Sequence, residues 1–175
     1  MVHTAVSLTD REREERLTQL MAGYQTSLMR MAYLYLGDAA LAEDAVQETF
    51  LKAYAHLDTF RGDSSEKTWL MRIAINTCKD MRRTAWLKWQ RLTLSWGPAC
   101  DQGKCDRYRD DTVLSAVMGL PPRDKQVILL RFYQKMKVTQ IAQVLGVPEA
   151  NVASRHKRDK DKLRKALKGW YLDEE

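Results

Sequence analysis

The side chains best placed to do chemistry in this chain are suited to recognition rather than to making or breaking bonds. Asn151, Ser154, Arg155, Arg158 and Lys162 recur at helical spacing, which would put them on one face of a helix, roughly opposite Leu163 and Leu167. Asn, Ser and Arg near a helix N-terminus reach base edges in a major groove, while Lys and Arg further along meet phosphates. A second set, Asp44, Gln47, Glu48 and Leu51, also shares a helical face. Its carboxylates make an unconvincing catalytic or metal-binding cluster, because no His lies one turn away. A solvated face is the plain alternative. A third set, Arg72, Asn76, Lys79 and Arg83, forms a polar stripe of the same kind. Cys100 and Cys105 could supply half a zinc site, but no second ligand pair follows, and none of His3, His56 and His156 is near in sequence. Cys78 falls in a helical pattern. No catalytic residue, metal site or cofactor is expected.

These sets need helices to present them. Glycines and prolines number 8 and 4 among 175 residues, while Ala, Leu, Lys, Arg, Glu and Gln abound, a balance that favours helix almost throughout. Thr9 and Glu12 have the form of a capping box, opening a helix through Leu17 and Leu20. Leu28, Met31, Ala32, Tyr35 and Leu36 continue it to Gly37. Asp38 can cap a second helix over roughly 39–56, with Val46, Phe50, Ala53 and Leu57 inward and the Asp44 set outward. The stretch DTFRGDSS, 58–65, reads as a loop. A third helix runs from near Ser65 towards Trp96, with Leu70, Ile73, Ala74, Thr77 and Met81 as its apolar stripe. Trp86, Trp89 and Trp96 recur along one side of its end and suit packing between domains or against a partner.

From about Leu94 to Asp111 the periodicity fails. Further helices are expected over 113–118, from Pro121-Pro122 through Leu130 and Arg131, over 138–145, and from Glu149 to about Trp170. Ala142, Gly146 and Val152 have the arrangement of a helix-turn-helix: a small residue for close approach, Gly for a positive φ at the turn, and an apolar residue inside the second helix. Ile141, Leu145 and Val147 supply its core, and Pro148-Glu149 suits a helix start. The fold class expected is all-α, with two small helical domains, 1–93 and 112–175, joined by a flexible linker over 94–111.

Charge divides the chain. The formal net charge is +6, a modest excess that suits nucleic acid. Residues 38–50 carry Asp38, Glu43, Asp44 and Glu48 with no Lys or Arg, whereas 155–168 is strongly basic. Two different macromolecular partners are implied. No run of about 18 apolar residues and no basic-then-apolar leader is present, so neither secretion nor membrane insertion is expected.

The string LGDAALAEDAVQETFLKAY, followed by LDTFRGDSSEKTWLMRIAINTCKDMRR, resembles region 2 of extracytoplasmic-function RNA polymerase sigma factors. LPPRDKQVILLRFYQKMKVTQIAQVLGVPEANVASRHKRDKDKLRKAL resembles their region 4. The resemblance covers most of the chain in the family's order. It implies a bacterial, cytoplasmic sigma factor, not an enzyme, serving a stress or envelope response. The implied partners are core RNA polymerase through its β and β′ subunits, promoter DNA, and an anti-sigma factor. Asp44, Gln47, Glu48 and Leu51 would then meet the β′ clamp coiled coil. Arg61, Gly62, Asp63, Ser64 and Ser65 would hold a flipped base of the −10 element, with Asn76 helping to read it and Arg72, Lys79, Arg82 and Arg83 on phosphates. Trp69 would be either a wedge at the melted edge or a packed boundary residue, and packing is favoured. Asn151, Ser154, Arg155, Arg158 and Lys162 would serve the −35 element. The sequence departs from the family pattern at Pro148, where Ser is frequent, and at Ala153 and His156, where a basic and an apolar residue are common. A helix-turn-helix repressor or activator is the alternative, but it leaves the acidic helix beside a DNA-type loop unexplained.

Overall fold

The computed structural model describes residues 9–60, 62–95 and 116–167, with side chains described to 85 in the first half and from 116 to 164 in the second. Arg61, Trp96, Cys100 and Cys105, the linker from 96 and the chain's last eight residues lie outside the described residues, as do the side chains of Trp86 and Trp89.

Three long helices make the N-terminal half: α1 (Asp10–Leu36), α2 (Ala39–Ala55) and α3 (Glu66–Ser95). Their ends follow from local chemistry. Thr9 and Glu12 form the expected capping box, satisfying two of the first-turn N–H groups. Gly37 closes α1 in the left-handed region at φ 76°, donating to Tyr33 O, and Asp38 caps α2 by accepting from Leu41 N–H at 2.9 Å. A short 3-10 turn, Leu57–Thr59, trims the start of the expected loop. Ser65 then caps α3, its Oγ accepting from Thr68 N–H at 3.1 Å.

The C-terminal half is built from shorter pieces. A helical turn at 116–118 precedes α4 (Pro122–Ile128), which opens with Pro in its first turn. The expected helix through Arg131 does continue, but as a wide π turn over Leu129–Tyr133. The N–H groups of Gln134 and Met136 reach back to Leu129 and Leu130 carbonyls at 3.1 and 3.0 Å, and Lys135 takes a positive φ of 53°. Then come α5 (Val138–Leu145), the turn at Gly146 with φ 65°, and α6 (Glu149–Leu167). A Cβ on Gly146 would meet no neighbour within 4 Å. The requirement for glycine there is therefore conformational, not steric crowding.

The two halves share one contiguous core. Leu28, Met31, Leu70, Met71 and Ile75 from the first half are continuous with Val127, Leu130, Met136, Ile141 and Val144 from the second. α5 packs along α3. Hydrogen bonds cross the seam: Gln126 Nε2 donates to Tyr35 Oη at 2.9 Å, and Gln134 Nε2 to Ser27 O at 3.0 Å. Lys67 Nζ also donates to Gln134 O.

Candidate polymerase and DNA interfaces

On α2 the inward residues Ala42, Ala45, Val46, Phe50 and Ala53 are buried. This leaves Asp44, Gln47 and Leu51 exposed, with Glu48 half-buried beside them. Leu51 keeps 65% of its surface in solvent. Glu48 pairs with Lys52 at 3.4 Å, and Lys52 donates to Thr77 Oγ1. Such an open pair adds little stability. A groove of about 350 Å³ runs between α2 and α3 here, with Asp44, Glu48 and Asp80 on its walls and Leu41 and Met81 at its apolar base.

At the start of α3, Gly62 sits at φ 76° with open space around it, and Ser65 is committed to the helix cap through Thr68. Trp69 is partly buried, its ring 4.9 Å from that of Phe60, so packing accounts for it. Arg72, Asn76, Arg82 and Arg83 are exposed. Lys79 is half-buried, and burial holds its ammonium below the usual value against the opposing pull of Asp80. The guanidinium of Arg82 lies 5.6 Å from the centre of the Tyr35 ring.

On α6, Asn151 and Ser154 are exposed in the first turns, whereas Arg155 is half-buried. The other two residues of that expected face are exposed, but their charged ends are engaged within the protein. Arg158 Nη2 and Lys162 Nζ reach the Asp124 carboxylate of α4 at 3.1 and 3.0 Å. Beneath them lies Asp159, fully buried, 3.8 Å from Arg158 and 4.0 Å from Lys162. The sequence alone gave no reason to single out Asp124 or Asp159, since an Asp within a basic helix reads as a solvated spacer. The pair divides its charge unevenly. Burial raises Asp124, but the hydrogen bond and charge of Lys162 and the charge of Arg158 outweigh it and hold Asp124 below the ordinary value. Burial and the Asp124 charge push Asp159 up to about 6. Neither Asp159 oxygen has a donor; once protonated, it can donate to Asp124 instead. His156 stacks on Phe132 at 5.6 Å, and burial with the charges of Arg131 and Lys160 lowers its pKa. Among the described residues, no group of three His, Cys, Asp or Glu side chains could hold a metal ion, and no helix is long and apolar enough to cross a membrane.

Comparison with known proteins accounts for both halves. Residues 20–88 match the family described as Sigma-70 region 2, and 110–163 match Sigma-70, region 4. The RNA polymerase sigma-H factor of Pseudomonas aeruginosa is 30% identical over 85% of this chain and 84% of its own length. The ECF RNA polymerase sigma factor SigW of Bacillus subtilis is 24% identical over 96% and 97%. Among solved structures, CnrH, in complex with the cytosolic domain of CnrY, is 26% identical with a TM-score of 0.67 over 89% of this chain and 90% of that one. The sigma factor RpoE from Bartonella quintana, solved with the anti-sigma factor NepR, shares the fold at a TM-score of 0.74 and 22% identity, over 88% and 98%. The chain belongs to the sigma-70 family of RNA polymerase sigma factors, in its extracytoplasmic-function branch. It is therefore an alternative sigma factor, a transcription initiation factor that directs core polymerase to promoters, and not an enzyme.

Proposed function

We propose that this sigma factor works in the bacterial cytoplasm, docking on core polymerase through the outer face of α2 and reading promoters through α3 and α6. The observation that carries the docking reading is Leu51, a large apolar side chain left mostly in water among Asp44, Gln47 and Glu48. An apolar residue ringed by charge, beside an acidic groove, suits a basic coiled coil such as the β′ clamp better than it suits solvent. The −10 element falls to the loop Arg61–Ser65 and the Arg72, Asn76, Lys79, Arg82 and Arg83 face, with Trp69 bracing the loop through Phe60. The −35 element falls to Asn151, Ser154 and Arg155, with Arg158 and Lys162 reaching phosphates after leaving Asp124. An anti-sigma partner for this chain is supported by the two solved relatives, each held in a complex, one of them with an anti-sigma factor; a role in an envelope or stress response is part of the same proposal. The test is Asp44→Arg with Glu48→Arg, which abolishes binding to core polymerase while circular dichroism and thermal unfolding stay unchanged. Unaltered affinity would remove α2 as the docking helix.

A further inference from the structure

The seam between the two halves brings cations of both together. A cleft of about 300 Å³ opens there, with Lys79 and Arg82 of α3 on one wall and Arg123 and Arg155 of α4 and α6 on the other. Lys125, only 8% exposed, is not part of this lining but lies close enough to Arg82 to feel its charge. None of these five cations makes an ion pair with a described residue; Asp80, whose charge reaches Lys79, lies 3.8 Å from Arg83. Burial and Arg82 together hold the Lys125 ammonium below its usual value. Like charges converging in a partly desolvated cleft oppose the folded arrangement unless an anion joins them. The rest of the lining narrows the choice of anion. The Tyr35 hydroxyl and the Gln126 amide sit among the cations, and Pro122, Leu145 and Val147 give one apolar side.

We propose that this cleft is a binding site for a short phosphate chain, free or carried on a nucleotide, which bridges the two halves. Guanidinium forks on opposing walls suit the oxygens of successive phosphoryl groups, and a chain brings more charge and more acceptor oxygens to four cations than a single phosphate does. The apolar side can receive a base if the chain is carried on a nucleoside. A consequence follows that rests on the proposed promoter contacts. Lys79 and Arg82 belong to the −10 face and Arg155 to the −35 face, yet all three line one cleft. Elements centred about 25 base pairs apart lie roughly 85 Å apart on B-form DNA. The packed arrangement therefore cannot serve both elements at once, and a ligand that holds the halves together opposes promoter engagement.

The binding test needs neither polymerase nor promoter, so it stands or falls apart from the sigma-factor contacts. The full chain is titrated calorimetrically with inorganic tripolyphosphate, and in parallel with orthophosphate, ATP and GTP, at physiological ionic strength. Tripolyphosphate is expected to bind one-to-one and roughly tenfold or more tighter than orthophosphate. Arg123→Ala, a lining residue outside the proposed DNA faces, weakens it about tenfold. The control Arg11→Ala with Arg30→Ala, which removes two charges from the outer face of α1, changes it less than about twofold. Tighter binding of a nucleotide than of tripolyphosphate assigns the chain to a nucleotide; equal or weaker binding assigns it to the inorganic form. Amide exchange in 76–82 and 122–128 slows on ligand addition, which reads the bridge directly without a variant. Affinity equal to that of orthophosphate, an equal loss in the control, or unslowed exchange overturns the proposal.

Discussion

The two halves of this molecule solve the same problem, a helical core, with different materials. In the N-terminal half the buried positions of α1, α2 and α3 are apolar or are small hydroxyls: Thr49 donates to Ala45 O in its own helix, and the Thr68 hydroxyl shares a hydrogen bond with that of the Ser65 cap. Even its buried thiol, Cys78, is pushed up to about 12 by burial and stays neutral. The C-terminal half buries Asp124, Lys125, Gln126, Gln134 and Asp159 in a much shorter stretch. The difference is that the first half keeps its polar links, such as Arg16–Glu66 and Lys52–Thr77, at the surface of an apolar core, whereas the second buries polar groups that need partners. Several of those partners belong to the first half or change with pH.

The largest expected effect tests whether the halves are nevertheless one cooperative unit. Leu70 is fully buried in α3 within the core that continues into α4 and α5. Leu70→Ala should cost about 2–5 kcal/mol, as truncation at well-packed core sites does. Denaturant unfolding followed by both circular dichroism and tryptophan fluorescence should remain a single transition. Two separated transitions, with only the earlier one shifted, would show that the shared core does not couple the halves.

The next effect sharpens the contrast in buried charge. Asp159 has a folded pKa of about 6 against 3.8 for the ordinary group. The folded state therefore holds a proton that the unfolded state has released. The stability this group contributes is full below about pH 4 and is lost as pH rises through 6. Asp124 works in the opposite sense, losing its contribution only as pH falls below 3.8 towards its lowered value. His156, lowered from 6.5, likewise loses its contribution as pH falls below 6.5. Comparing Asp159→Asn with the parent isolates the first of these. Its amide donates to Asp124 as the protonated acid does, so the variant should be more stable at pH 8 by on the order of 2 kcal/mol. That advantage should vanish towards pH 4 in urea unfolding. Parallel curves across this range would mean that Asp159 is not the proton holder.

The contrast also separates what was legible in the sequence from what was not. Capping residues Thr9 and Asp38, the turn at Gly146 and the inward stripes of α1 and α2 are local facts, set within one or two helical turns, and pattern alone located them. On α3 it found Leu70, Ala74 and Thr77 but turned half-buried Ile73 and Met81 inward and passed over Met71, Ile75 and Cys78. The π turn at Leu129–Tyr133 was not legible, because its apolar spacing matches an ordinary helix and the extra residue is absorbed only by packing. The Asp124–Asp159 pair joins α4 to α6. Nothing in the run RHKRDKDK marks one aspartate as buried and the other, Asp161, as exposed. That choice is made when α6 lies on α4, and it gives the exposed Arg158 and Lys162 a carboxylate partner, Asp124, that their spacing did not suggest. The seam between the halves was illegible for the same reason: Gln126 and Tyr35, or Gln134 and Ser27, are 91 and 107 residues apart.

The smallest expected effect bears on that seam. Tyr35 is buried at the end of α1, and its hydroxyl accepts from Gln126 Nε2 across the interface. Tyr35→Phe keeps the ring, its packing and its contact with the Arg82 guanidinium, but leaves a buried amide N–H without an acceptor. The cost should be about 1 kcal/mol, the usual scale for one neutral hydrogen bond, rather than the several that a lost side chain would give. Where that cost falls matters more than its size. If the halves separate more readily than either unfolds, Tyr35→Phe should speed amide exchange in 122–128 and 76–82 well before it lowers the global midpoint. Faster exchange spread evenly over the whole chain would mean that the seam opens only when everything does. A C-terminal half that relies on its neighbour for polar partners should behave in the first way, giving up the seam before its own core.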